Sequence, residues 1–132
     1  MSELNVEIVT PAGITFRGEI QSCTVPGADG SFQILKDHAD LLANLKIGEI
    51  KFKQGSDEKF LATSGGFLEV LKNSISIVVE SAEFADKIDV ERAKSAEKRA
   101  RNRLEKKEEV DLARAELALA RALNRLKIAS QI

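Results

Sequence analysis

All eight glycines and both prolines of this 132-residue chain lie in its first 66 residues, and none occurs from Phe67 to Ile132. Glycine and proline make tight turns and interrupt regular elements. A chain punctuated on one side only must change architecture along its length. The first part can turn back on itself many times, whereas the last part carries nothing that forces a helix to stop.

The punctuated part reads as short strands. Leu4–Thr10 alternates through Leu4, Val6 and Ile8 and ends at Pro11-Ala12-Gly13. Ile14–Arg17 and Glu19–Val25 follow, the latter closed by Pro26-Gly27-Ala28-Asp29-Gly30. Ser31–Leu35, Leu41–Leu45, Glu49–Lys53, Lys59–Ala62, Gly66–Val70 and Ser74–Glu80 continue the series. Turn signals every ~8–12 residues predict an all-β sandwich or barrel. The β-branched run Ser74-Ile75-Ser76-Ile77-Val78-Val79 is the clearest strand.

The last third repeats itself. Asp89, Arg92, Ala93, Ala96, Arg99, Ala100, Asn102, Arg103 and Leu104 recur 22 places later as Asp111, Arg114, Ala115, Ala118, Arg121, Ala122, Asn124, Arg125 and Leu126. At about 100° per residue, arginines at i, i+7 and i+11 fall within roughly 40° of arc on a helix. Alanines at i+1, i+4 and i+8 form a slim stripe beside them. Asp89 is placed to cap a first helix running to about Lys106, with Ile88 and Ala93 at staple positions. Lys106-Lys107-Glu108-Glu109-Val110 reads as a charged break, after which Asp111 can cap a second helix. The break holds no glycine or proline, so the same residues suit an antiparallel hairpin or one continuous helix. The division expected is a β domain over residues 1–86 and a helical domain over 87–132.

Charge follows this division. Residues 1–85 carry 7 Lys/Arg against 12 Asp/Glu, and residues 86–132 carry 13 against 9. An acidic body with a mildly basic tail points to an anionic partner for the tail. Nucleic acid is disfavoured, because the tail has no aromatic after Phe84 and only a small positive excess. Guanidinium forks facing one groove suit a polyphosphate or an acidic protein segment, and the spacing leaves both open. No apolar run approaches the ~18 residues of a membrane span, and the opening residues lack the layout of a signal or transit peptide.

Catalysis is disfavoured. The one histidine, His38 in Lys36-Asp37-His38-Ala39-Asp40, has no second histidine to complete a usual metal set. The single cysteine, Cys23, excludes an internal disulfide and fits a small apolar position in a strand. Ser64-Gly65-Gly66 falls short of a nucleophile elbow and reads as a turn. No phosphate-binding loop or dinucleotide fingerprint is present.

Several segments resemble the epsilon-subunit family of bacterial F-type ATP synthases. They are Ser64-Gly65-Gly66-Phe67-Leu68-Glu69-Val70, Ile34-Leu35-x-x-His38-Ala39-x-Leu41-Leu42, and Ile88-Asp89-Val90-Glu91-Arg92-Ala93. The last is similar to the family's I/L-D-x-x-R-A motif, which in some members binds ATP. The chain departs from the family at Lys36 and Asp40, where prolines are frequent, and at Ser31, where an acidic residue is frequent. The resemblance implies an α+β fold, a ten-stranded β-sandwich followed by an antiparallel helical hairpin. It implies a non-catalytic rotor subunit of the central stalk of a proton- or sodium-translocating synthase. That subunit would be peripheral to the cytoplasmic face of the bacterial plasma membrane.

Its implied partners are the gamma subunit, the c-subunit ring and, through an extended tail, the catalytic alpha and beta subunits. Asp29, Ser31 and His38 would face the ring. The implied ligand is regulatory ATP, with no required cofactor and no metal. Ile88 would pack on adenine, Asp89 would accept from its amino group, and Ala93 completes the motif. Glu83, Arg92, Arg99, Arg121 and Arg125 would form the polar set, with Arg103 and Arg114 organising the hairpin. The tail would inhibit hydrolysis when extended. Two alternatives stand beside this reading: the same subunit with a tail that binds no ATP, and a β-sandwich adaptor unrelated to the synthase.

Overall fold

The computed structural model of the chain describes residues 4–105 and 112–131. Ten strands come first: β1 (Leu4–Thr10), β2 (Gly13–Ile20), β3 (Ser22–Gly27), β4 (Gly30–Ile34), β5 (Leu41–Leu45), β6 (Gly48–Gln54), β7 (Asp57–Thr63), β8 (Gly66–Leu71), β9 (Ser74–Val79) and β10 (Ala82–Phe84). A 3₁₀ turn (Ala85–Lys87) leads into α1 (Val90–Glu105), and α2 (Leu112–Ala129) follows. The expected β-sandwich with a helical hairpin is the fold observed.

The strands run in the order β10-β7-β6-β3-β5-β8-β9-β1-β2, with β4 on β3. Every neighbouring pair is antiparallel except β1 with β9. The alternation read from the sequence decides which face is buried. Leu4, Val6 and Ile8 of β1, Leu68 and Val70 of β8, and Ile75, Ile77 and Val79 of β9 are all buried in one core with Ile50 and Phe52 of β6. Phe16 and Phe84 close its end by ring contacts with Phe52 at 4.6 and 6.4 Å.

One expected strand, Glu19–Val25, is divided between β2 and β3. Ile20 still pairs with Leu4 of β1, whereas Ser22 pairs with Lys53 of β6. The chain changes partner at Gln21, whose backbone N–H donates to Lys53 O and whose Oε1 accepts from Gly55 N at 2.9 Å. Ser64-Gly65-Gly66 is the expected turn, between β7 and β8. Gly65 sits at φ +106°, and a Cβ there would lie 2.9 Å from the Leu45 carbonyl oxygen, so only glycine fits.

Asp89 caps α1 as the sequence suggests. Its Oδ1 accepts from Arg92 N at 3.0 Å, and its carbonyl accepts the first helical bond, from Ala93 N. The alanine stripe is the helix–helix seam: Ala93, Ala100, Ala115 and Ala122 are buried, with Ala96 and Ala118 half-buried between them. α1 and α2 pack on each other, so the two copies fold back as a hairpin rather than forming one rod. The break at 106–110 and the cap at Asp111 lie outside the described residues. Some acidic residues form solvated pairs, Glu97 with Arg101 at 3.0 Å and Glu91 with Lys94 at 4.0 Å.

Candidate functional site

Folding the hairpin against the sandwich creates a cleft of about 450 Å³. One wall is helical: α1 contributes Arg92 and Ala96, and α2 contributes Ala118, Arg121, Ala122, Asn124 and Arg125. The other wall is the β7–β10 end of the sandwich, with Ala62, Thr63, Ser64, Ser81 and Glu83. β10 pairs with β7 through Ala82↔Thr63 and Glu83↔Ala62, which aims Glu83 at the helices. Ser81 Oγ donates to Ser64 Oγ at 2.8 Å and closes the β rim.

The electrostatics of the cleft are unbalanced. Among the described residues, three arginines, Arg92, Arg121 and Arg125, line the cleft with one acidic residue, Glu83. Among the described residues Glu83 pairs with Arg125. Arg125 Nη2 donates to Glu83 Oε2 at 3.1 Å, and Nε lies 2.8 Å from Oε1. That second approach is close but misaligned, and the buried Nε is left without a hydrogen bond among the described residues. The arrangement suits an anion, with guanidinium donors at one side and hydroxyls at the other.

The structure sorts the residues singled out in the sequence. Glu83, Arg92, Arg121 and Arg125 meet in the cleft. Ile88 does not line it; at 8% exposure it packs with Ala62, Ala85 and Ile128 in a small cluster beneath the hairpin. Asp89 is occupied as the helix cap and Ala93 lies fully buried in the seam. Arg99, Arg103 and Arg114 do not line the cleft; Arg92 and Arg121, which do, are exposed as they are. Sequence reasoning missed Thr63, Ser64, Ser81 and Asn124 as lining residues. Asn124 was marked by the duplication, but Ser81 carries no sequence signal; it enters only because β10 returns beside β7.

The loop residues lie elsewhere. Asp29 occupies the turn between β3 and β4, and Ser31 is exposed on β4 opposite Pro26. His38 sits half-buried in the next loop. Its Nδ1 is 2.8 Å from Ala39 O, a geometry that places the ring proton on Nδ1. Asp37 and Asp40 serve that loop as anchors. Asp37 N donates to Asn73 Oδ1 at 2.7 Å, and Asp40 Oδ1 accepts from Lys72 N at 3.1 Å.

A second surface is apolar. The register aligns Phe67 of β8, Val78 of β9, Val9 of β1 and Ile14 of β2 in one cross-strand row on the outer face. Phe67, Val78 and Ile14 are exposed, as are Leu42 and Leu71 on β5 and β8.

Comparison with known proteins finds two family matches along the chain. The β-sandwich domain of the ATP synthase delta/epsilon chain matches residues 3–85, and the long α-helix domain of the same chain matches residues 86–130. An ATP synthase epsilon chain of Desulforamulus reducens is 47% identical over 102 residues, covering 77% of this chain and 77% of that relative. One from Salinibacter ruber is 44% identical over 112 residues, covering 78% and 75%. In fold, a chain of the Euglena gracilis mitochondrial ATP synthase superposes with a TM-score of 0.84 at 18% identity, covering all of this chain and 83% of its own length. The sandwich, the hairpin and the relatives together place this chain in the ATP synthase delta/epsilon family, to which it belongs.

Proposed function

We propose that this chain is a non-catalytic stalk subunit of an F-type ATP synthase whose helical tail senses ATP in the cleft between hairpin and sandwich. The observation that carries the sensor reading is that Arg92, Arg121 and Arg125 line one cleft in which, among the described residues, the single carboxylate, Glu83, pairs with Arg125. The cleft size lies within the ~300–1,000 Å³ typical of small-molecule sites. Triphosphate oxygens would take the guanidinium forks bidentately.

The energetics follow from where the cleft is. Its walls belong to α1, α2 and the sandwich, so a ligand there holds only the docked hairpin. It stabilises that state by RT ln(1 + [L]/Kd), about 2.7 kcal/mol at a hundredfold excess over Kd. Loss of ATP removes this increment and favours the undocked tail, whose arginine rows would then meet acidic segments of the alpha and beta subunits and block hydrolysis. Binding in the cleft is regulatory and the nucleotide is not consumed.

The body carries the stalk role. The outer row of Phe67, Val78, Val9 and Ile14 suits a protein partner, assigned here to the gamma subunit. The loops bearing Asp29, Ser31 and His38 are assigned to the c-ring, which would keep the chain peripheral at the membrane. No described helix is long and apolar enough to cross one. Residues 1–86 and 87–132 are taken as separate folding units.

Calorimetric titration of the intact protein with ATP tests the sensor. Binding is expected, weakened at least tenfold by Arg121→Ala and by Arg92→Ala, since each loses a charge-assisted bond of about 1.5–3 kcal/mol. No heat at millimolar ATP would reject the sensor. Failure to co-purify with the gamma subunit would reject the stalk assignment.

A further inference from the structure

The hairpin is attached to the sandwich through α2, which packs on β6, β7 and the 3₁₀ turn while α1 packs on α2. Within α2 the attachment falls in its last turns. Ile128 is fully buried against Ala62, Ala85 and Ile88, Arg125 pairs with Glu83, and Asn124 reaches the backbone of the sheet. Asn124 Nδ2 donates to Gly48 O at 2.8 Å and to Thr63 O at 3.5 Å. Gly48 and Thr63 are register partners at the end of the β6–β7 ladder. One short amide therefore grips both strands at once.

This contact differs in kind from its neighbours. Apolar burial is non-directional, so the Ile128 contact tolerates small slides of the helix. A long guanidinium can follow a carboxylate over a few ångströms. An asparagine amide on two fixed carbonyls tolerates little of either. It sets both the height and the rotation of α2. Arg121 lies three residues before it and Arg125 one after, and all three line the cleft.

The duplication supplies an internal comparison. The twin of Asn124 is Asn102, which is exposed on α1. The residue 22 places before Ile128 is Lys106, so the first copy has no apolar side chain to bury at that point. We infer that Asn124 is a positioning residue: its side-chain amide pins α2 to the end of the β6–β7 ladder, a role its twin Asn102 does not share, and the tail leaves the sandwich only by breaking this pin. The inference holds whatever ligand the cleft takes.

Two measurements on the full chain test it. In the wild type, nitrogen-15 spectra should show the Asn124 side-chain amide protected from solvent exchange and the Asn102 amide exchanging fast. Undocking is then read by thiol labelling of an Ala62→Cys variant, since Ala62 is 3% exposed beneath α2 and Cys23 is fully buried elsewhere. Asn124→Ala should speed labelling about tenfold, the loss of a hydrogen bond and of its carbonyls' partner. Asn124→Asp should speed it further, because a carboxylate would face two carbonyl oxygens. Asn124→His, which keeps a short donor, should restore part of the protection, and Asn102→Ala should change nothing. An unprotected Asn124 amide in the wild type overturns the inference. So does unchanged labelling in both Asn124→Ala and Asn124→Asp, or an equal effect from Asn102→Ala.

Discussion

Ile128→Ala should free the helical tail without weakening the sandwich. Ile128 is fully buried at the end of α2, in a cluster formed with Ala62, Ala85 and Ile88 and flanked by Phe60 and Ala129. Removing three carbons at ~0.8 kcal/mol each gives about 2.4 kcal/mol. The cavity left among small alanines cannot collapse fully, and the measured range for such changes reaches about 5 kcal/mol. At 1.4 kcal/mol per factor of ten, the undocked population should rise at least about fiftyfold. The cost should fall on docking, because Ile128 belongs to a buried cluster separate from the sixteen residues of the main core. Trypsin reads this directly, since the tail carries 13 of the 20 Lys and Arg residues. Tail cleavage should accelerate by that factor under conditions where cleavage is slower than reclosing. The urea midpoint of the sandwich should stay where it is. A fall of that midpoint equivalent to 2 kcal/mol or more would refute the reasoning, by showing that tail and body unfold as one unit.

Other outcomes follow from the same geometry. Glu83→Gln removes the partner of Arg125, whose side chain is 22% exposed, and should weaken docking by about 1 kcal/mol; faster tryptic release of the tail is the readout. Gly66→Ala would set a Cβ 2.7 Å from Val79 Cα, backbone against backbone, so the β8–β9 pairing should fail and the urea midpoint should drop sharply or soluble protein be lost. Burial pushes the Cys23 thiol up to about 12, so iodoacetamide at pH 8 should modify it only on global unfolding. The same shift has a stability consequence. An unfolded thiol ionises above about 9 while the folded one stays protonated. Stability from this group is therefore complete below pH 9 and declines as pH rises toward 12, a slope absent in Cys23→Ala.

Much of this structure is legible in local sequence because the signals are short-ranged. Period-two alternation in Leu4–Thr10 and Ser74–Val79 fixes which side chains point inward, and those are the ones buried. Asp89 caps α1 because its own side chain satisfies the N–H three residues on, and no tertiary partner is required. The alanines buried in the seam are those that the 22-residue repeat places at seven-residue spacing. The change of partner at Gln21 was not legible, because two neighbouring strands compete for one extended run and only the closing of the sheet chooses between them.

The sequence by itself determined a β body, two alike helices and a duplicated row of arginines. It could not determine what those arginines do, because both copies carry the same arginine and alanine spacing. The tertiary structure broke that symmetry. α2 meets the sandwich through Asn124, Arg125 and Ile128, so its Arg121 and Arg125 turn into the cleft with Arg92, while Arg99, Arg103 and Arg114 stay on the surface. The reason is one of burial: a second element can dock only where it brings an apolar side chain to the joint, and of the two copies only the one ending in Ile128 has it.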